Sequence, residues 1–164
     1  MKEFFNQTEI KRVLKYALYM FLALIAQNMA FTQIRPLGVC PLVLPAVAVS
    51  VGMFQGATWG AVFSLIMGLF ADMAFIENTV LFTLFLPALS FFAGFVSQYY
   101  INRRFFAFMG LAFAATLGTG IVQMTATFLK DAWSPLMLTT VALQTVWSLP
   151  FAAVAYFPPA EWIE

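Results

Sequence analysis

From Gly52 the chain places a small residue at every fourth position: Gly52, Gly56, Gly60, Ser64 and Gly68, with Asp72 on the same spacing. Most of the run GMFQGATWGAVFSLIMGLFAD is apolar enough to lie in a bilayer. Helices in lipid gain nothing from hydrophobic association with one another, so close approach at small side chains is a main way to hold them together. A step of four overshoots a helical turn of about 3.6 residues, so such a ridge winds slowly and meets a partner at an angle. The pattern therefore predicts tightly packed membrane helices with one costly carboxylate at the end of the ridge.

Composition points to the same solvent. The chain has 164 residues, 63% hydrophobic and 9% charged, whereas soluble domains carry about 25% charged residues. Its net charge is +1, with no basic run long enough to hold nucleic acid. There is no histidine, which removes the commonest general base and the commonest metal ligand. Cys40 is the only cysteine, so an internal disulfide and a thiolate metal cluster are both excluded. It reads as a small packing residue, with a reactive thiol as the alternative.

A transmembrane helix needs roughly 20 apolar residues. Six spans are expected in a single polytopic membrane domain over residues 1–164, all-α in class. They lie at about 13–34, 39–54, 57–75, 80–101, 105–129 and 135–157, after a cytoplasmic segment 1–12. Asn6 and Glu9 resemble a capping box for the first helix. The start looks like a signal peptide, but its apolar stretch is too long and lacks a small-x-small cleavage site, so it is read as retained. With the N-terminus inside, Lys2, Lys11, Arg12, Lys15, Arg103 and Arg104 are cytoplasmic, and only Arg35 and Lys130 fall outside. Six spans return the C-terminus to the cytoplasm. Trp133 and Trp162 sit where interfacial anchors belong.

Two further small-residue ladders follow, Gly110, Ala114 and Gly118 in span five, and Ser90 with Gly94 in span four. Each serves either packing within the subunit or docking of another membrane helix. Asp72 either accepts hydrogen bonds from the next helix start or engages a partner; Arg35 would share its side, and Glu77 reads as loop. The amides Gln27, Asn28, Gln98, Gln123 and Gln144 read as interhelical glue, or as the lining of a polar site if they converge. Twenty phenylalanines, spread over every span except the second, whose only one is its terminal Phe54, serve lipid contact and packing. Pro45, Pro87 and Pro150 are expected to kink their helices. No nucleophile with a base, no carboxylate pair within a span and no phosphate-cradling loop is present, so neither catalysis nor a cofactor is expected.

Pro41 followed by Leu42, Val43 and Leu44, then Gly56, Gly60 and Gly68, then Asp72, resembles the rod-shape-determining membrane protein family MreD. The segment FFAGFVSQYYINRRF is similar to that family's fourth span, with Gly94 in place and Arg103–Arg104 after it, and WSLPFAAVAYF is similar to the end of its sixth. The resemblance implies a six-helix fold similar to the substrate-binding subunits of energy-coupling-factor vitamin transporters. It also implies a non-enzymatic role in the bacterial cytoplasmic membrane. There the family binds the bitopic protein MreC and helps organise peptidoglycan synthesis with the actin-like MreB. The residues expected to form helix-packing or partner faces are Gly52, Gly56, Gly60, Ser64, Gly68, Asp72, Gly94, Gly110, Ala114 and Gly118; a second copy of the chain is a further expected partner. The rival reading is a vitamin-binding transporter subunit, in which the amides and Trp59 contact ligand. It requires an outward polar cavity of roughly 300–1,000 Å³.

Overall fold

The computed structural model describes residues 7–30, 33, 38–74, 80–99, 104–128 and 136–161. Six α-helices occur among them: α1 (Gln7–Ile25, continued by a π-helical turn Ala26–Ala30), α2 (Leu44–Gln55), α3 (Ala57–Ala74), α4 (Leu81–Tyr99), α5 (Phe105–Phe128) and α6 (Leu136–Glu161). Helices α3 to α6 are long and apolar enough to cross a membrane. The suggested Asn6–Glu9 cap, Arg35, Glu77, Arg103, Lys130, Trp133 and Trp162 lie outside what the structure describes.

The exterior is the reverse of a soluble protein's. Leu14, Leu18, Phe21 and Met29 make an exposed stripe along α1, and Leu84 (76%) and Phe106 (87%) stand out from α4 and α5. Gln27, Ser50, Ser90, Ser97, Thr145 and Ser148 are buried instead. A continuous apolar exterior of this extent fits lipid and not water.

The second expected span is shorter than the sequence suggests. Residues 39–43 are not helical, and α2 begins at Leu44. Its 12 residues rise about 18 Å, little more than half of a hydrocarbon core of about 30 Å. Every residue from Pro41 to Phe54 is buried, and α2 contacts all five other helices. A helix apolar on every face belongs in the middle of a bundle, and α2 is the axis around which this one is built. Pro45 does not kink it: it sits in the first turn, where its missing N–H would have no intrahelical acceptor.

Between α2 and α3 the chain turns at Gly56, with φ 92° and ψ 167°, a region open essentially to glycine alone. The small-residue ridge is therefore not one winding stripe. It is folded at Gly56 so that its two halves face each other. A Cβ on Gly60 would lie 2.4 Å from Gly52 Cα, and one on Gly52 would lie 2.2 Å from Ser90 O. A Cβ on Gly94 would lie 2.6 Å from Ala57 Cα. Helices α2, α3 and α4 thus meet backbone to backbone.

The last helix runs beyond the expected end near residue 157, through Pro158 and Pro159 to Glu161. A proline at 159 leaves the carbonyl four residues earlier without its usual donor. That carbonyl belongs to Ala155, and the Tyr19 hydroxyl donates to it at 2.9 Å. A side chain from α1 thus supplies the bond that the proline forgoes.

Gly60→Leu should force α2 and α3 apart, at a cost no smaller than the ~1–3 kcal/mol of ordinary overpacking. The expected result is a lower midpoint of thermal unfolding in detergent, with little change for the lipid-facing control Leu65→Ile. Equal midpoints for both variants would contradict the backbone contact.

Candidate functional site

The polar groups of this protein act mainly on its own backbone. The clearest case lies where residues 41–43 enter the interior. Irregular backbone inside a membrane must have its N–H and C=O groups satisfied by protein. Gln27 does this twice: its Nε2 donates to Pro41 O at 3.0 Å, and its Oε1 accepts from Val43 N at 2.9 Å. Ser148 Oγ accepts from Leu42 N at 2.8 Å and donates to Gln144 O at 2.6 Å. Pro41 precedes α2, so its carbonyl has no donor from that helix, and the Gln27 amide answers it. The π turn around Gln27 shifts the backbone register, and Asn28 Nδ2 donates back to Leu24 O at 3.1 Å. Cys40, half-buried, lies immediately before this segment.

Asp72 performs the same service for α4. Its Oδ1 accepts from Phe82 N at 3.2 Å, and its Oδ2 accepts from Thr83 N at 2.7 Å and Thr83 Oγ1 at 2.6 Å. The first N–H groups of a helix have no intrahelical acceptor, and a carboxylate there also meets the positive end of the helix dipole. Of the two readings offered by the sequence, acceptance of hydrogen bonds from the next helix start describes this geometry.

The candidate small residues divide into two environments. Gly52, Gly60, Gly68 and Gly94 approach neighbouring backbone so closely that a Cβ on any of them would collide; for Gly68 the obstacle is Phe82 O at 2.6 Å. A Cβ on Gly56 would meet Gln98 Nε2 at 2.9 Å. Ser64 is fully buried, and its hydroxyl has no hydrogen-bond partner among the described residues; small size is its evident qualification here. Gly118 has only ordinary space beside the Phe85 ring, at 3.5 Å. Gly110 has nothing within 4 Å of a built Cβ, and both it and Ala114 are exposed. Sequence spacing did not single out Gly120, where a Cβ would lie 2.8 Å from Val141 Cγ1 at the contact of α5 with α6.

One end of the bundle gathers Arg12, the C-terminal ends of α2, α4 and α6, and the start of α5. The Arg12 guanidinium donates to Gln55 Oε1, and Gln55 Nε2 donates to the Tyr16 hydroxyl. Ser97 Oγ donates to Met53 O at 3.1 Å. Tyr156 sits among Phe54, Phe105 and Phe108, each with a ring centroid 5.3 Å away. The phenylalanines thus include an inward cluster that ties α2, α5 and α6 together, beside others, such as Phe21 and Phe106, that stand exposed. Gln98 lies at this end, beside Gly56, whereas Gln27 lies at the other end of α2. Gln98 and Gln27 therefore do not share one site.

A groove of about 160 Å³ opens beside this end, between α1 and α3. Val13, Ala17 and Met20 form one wall, Val62 and Ile66 the other, and Val51 of α2 contributes to the floor. Arg12, Gln55 and Trp59 stand at its mouth.

Asp72→Asn keeps an oxygen acceptor of the same size, whereas Asp72→Leu leaves the first N–H groups of α4 unanswered, at about 1–3 kcal/mol for each buried group. Thermal unfolding of the two variants should show a small loss for Asn and a larger one for Leu. An Asn variant that is folded and stable but inactive would show that the charge itself is needed. The chain matches no family model, and it matches no curated protein and no solved structure.

Proposed function

We propose that this chain is a non-enzymatic membrane scaffold of the MreD type, working in the cell-elongation machinery of a bacterial cytoplasmic membrane. In this reading it crosses the membrane six times with both termini in the cytoplasm, in a fold similar to the vitamin-binding subunits of energy-coupling-factor transporters. It docks the transmembrane helix of an MreC-type bitopic partner and so helps position peptidoglycan synthesis.

The observation that carries the proposal is how the interior is used. Residues 41–54 fill the middle of the bundle completely, and the buried polar atoms of Gln27, Ser148 and Ser90 are spent on neighbouring backbone. The groove beside α1 is mostly carbon-lined and, at about 160 Å³, falls below the roughly 300–1,000 Å³ of small-molecule sites. It also opens at the end that holds Arg12 and Arg104, the inner end under the distribution of basic residues. A vitamin-capturing subunit needs a polar cavity at the opposite end. For docking, the open face of α5 offers Gly110 and Ala114 one turn apart, a small-xxx-small pair that another helix can approach closely.

The position of Gly110 separates docking from folding. Gly110→Leu should leave the thermal midpoint of the purified protein unchanged, because the side chain enters open space, yet reduce co-purification of an MreC-type partner from native membranes. Depletion in a rod-shaped host should round the cells. A large thermal shift with one vitamin, together with normal cell shape after depletion, would overturn the scaffold reading in favour of transport.

A further inference from the structure

We infer that the groove between α1 and α3 is a binding site for one acyl chain of an anionic phospholipid, whose headgroup is held by Arg12. The proposal stands apart from the scaffold reading and needs only that the bundle lies in a bilayer.

The argument starts from the weak seating of α1. It meets α2 and α3 far less extensively than α3 meets α4, and the gap that this leaves is the groove. Its walls, Val13, Ala17 and Met20 against Val62 and Ile66, offer almost nothing but carbon. Val13, Val62 and Ile66 are each also exposed on the outer surface, so the groove opens sideways to lipid. From Arg12 to Met20 is eight residues, about 12 Å along the helix axis. The site is therefore long, narrow and apolar, in a medium whose own molecules are long, narrow and apolar.

The mouth supplies the selectivity. Arg12 lines it, and Lys11 and Lys15 flank Arg12 on the same helix, all three exposed. The hydrogen bond to Gln55 fixes the guanidinium at the rim, and a guanidinium has five donors, so a phosphate can take others of the fork. Trp59, 62% exposed in the first turn of α3, also lines the mouth, and indoles favour the headgroup level. Carbon below, indole at the rim and cations above match a lipid with a negative headgroup. A transmembrane helix, about 10–12 Å across with its side chains, is too broad for a groove of about 160 Å³.

The test uses the full chain with Trp133, Trp147 and Trp162 each replaced by Phe, so that Trp59 reports alone. The protein is placed in nanodiscs of phosphatidylcholine containing a minor fraction of a lipid brominated on its acyl chains. That lipid is either phosphatidylglycerol or phosphatidylcholine. Brominated phosphatidylglycerol should quench Trp59 at about one fifth of the concentration that the choline lipid requires, the preference expected from one cation near a membrane surface. Arg12→Gln should bring the two lipids together. Ala17→Phe, which keeps Arg12 but fills the groove, should weaken quenching by both, with circular dichroism checking that each variant remains helical. Equal quenching by the two lipids in the parent would reduce the groove to ordinary lipid contact and overturn the proposal. A preference that survives Arg12→Gln would overturn it, and so would no quenching by either lipid, the result expected if a second copy of the chain covered the groove.

Discussion

A backbone that leaves helical geometry inside hydrocarbon needs a partner for every amide it frees, and Gln27 answers two such groups at once. Its side chain bonds Pro41 O and Val43 N, while Ser148 takes Leu42 N. Without these bonds the buried backbone just before α2 would hold unanswered N–H and C=O groups, each at a cost of about 1–3 kcal/mol. The position of α2 then sets the rest. It is short enough to fit wholly inside, apolar on every face, and surrounded by the other five helices.

The second constraint is the fold of the small-residue ridge at Gly56. A left-handed backbone there reverses the chain with no connecting loop, bringing Gly52 against Gly60 and both against Ser90 on α4. Side-chain hydroxyls complete this contact by bonding backbone across it: Ser90 Oγ donates to Ala48 O at 2.8 Å and Ser97 Oγ to Met53 O at 3.1 Å. Dispersion at close range and hydrogen bonds to main-chain oxygen are the forces available between helices in lipid. Close backbone approach is concentrated at α2, α3 and α4, whereas α1 is held by fewer contacts and by the polar links of Tyr16, Tyr19 and Gln27. A firm three-helix core with a loosely seated first helix leaves room for lipid on one side.

The parts of this fold that run length encodes were legible in the sequence. Helices α3 to α5 begin and end within about two residues of the bounds expected for spans three to five, because long apolar runs end at polar residues. Span two was not legible in the same way, since an apolar run containing Pro41 and Pro45 reads alike as a kinked helix or as an extended entry into a shorter one. Helix α6 continues past Phe157 through Pro158 and Pro159, which residue spacing does not announce, and only the Tyr19 hydroxyl, 136 residues from Ala155, shows how it continues. Spacing marked Gly52, Gly60 and Gly110 identically, yet the first two touch backbone and the third faces open space. A four-residue period says that a ridge is bare, and only the neighbouring helix says what approaches it. Ser148 carried no signal at all: serines are frequent, and its part depends on Leu42, 106 residues earlier in the chain.

Residue-resolved hydrogen exchange in lipid nanodiscs tests the central claim most directly. The amides of Leu42 and Val43 should exchange as slowly as those in the middle of α4, although they lie outside any helix. Gln27→Leu should speed exchange at Val43 selectively, with α4 unchanged. Rapid exchange at Leu42 and Val43 in the parent protein, or rates at Val43 indifferent to the loss of Gln27, would contradict an axis helix held in place by the Gln27 amide.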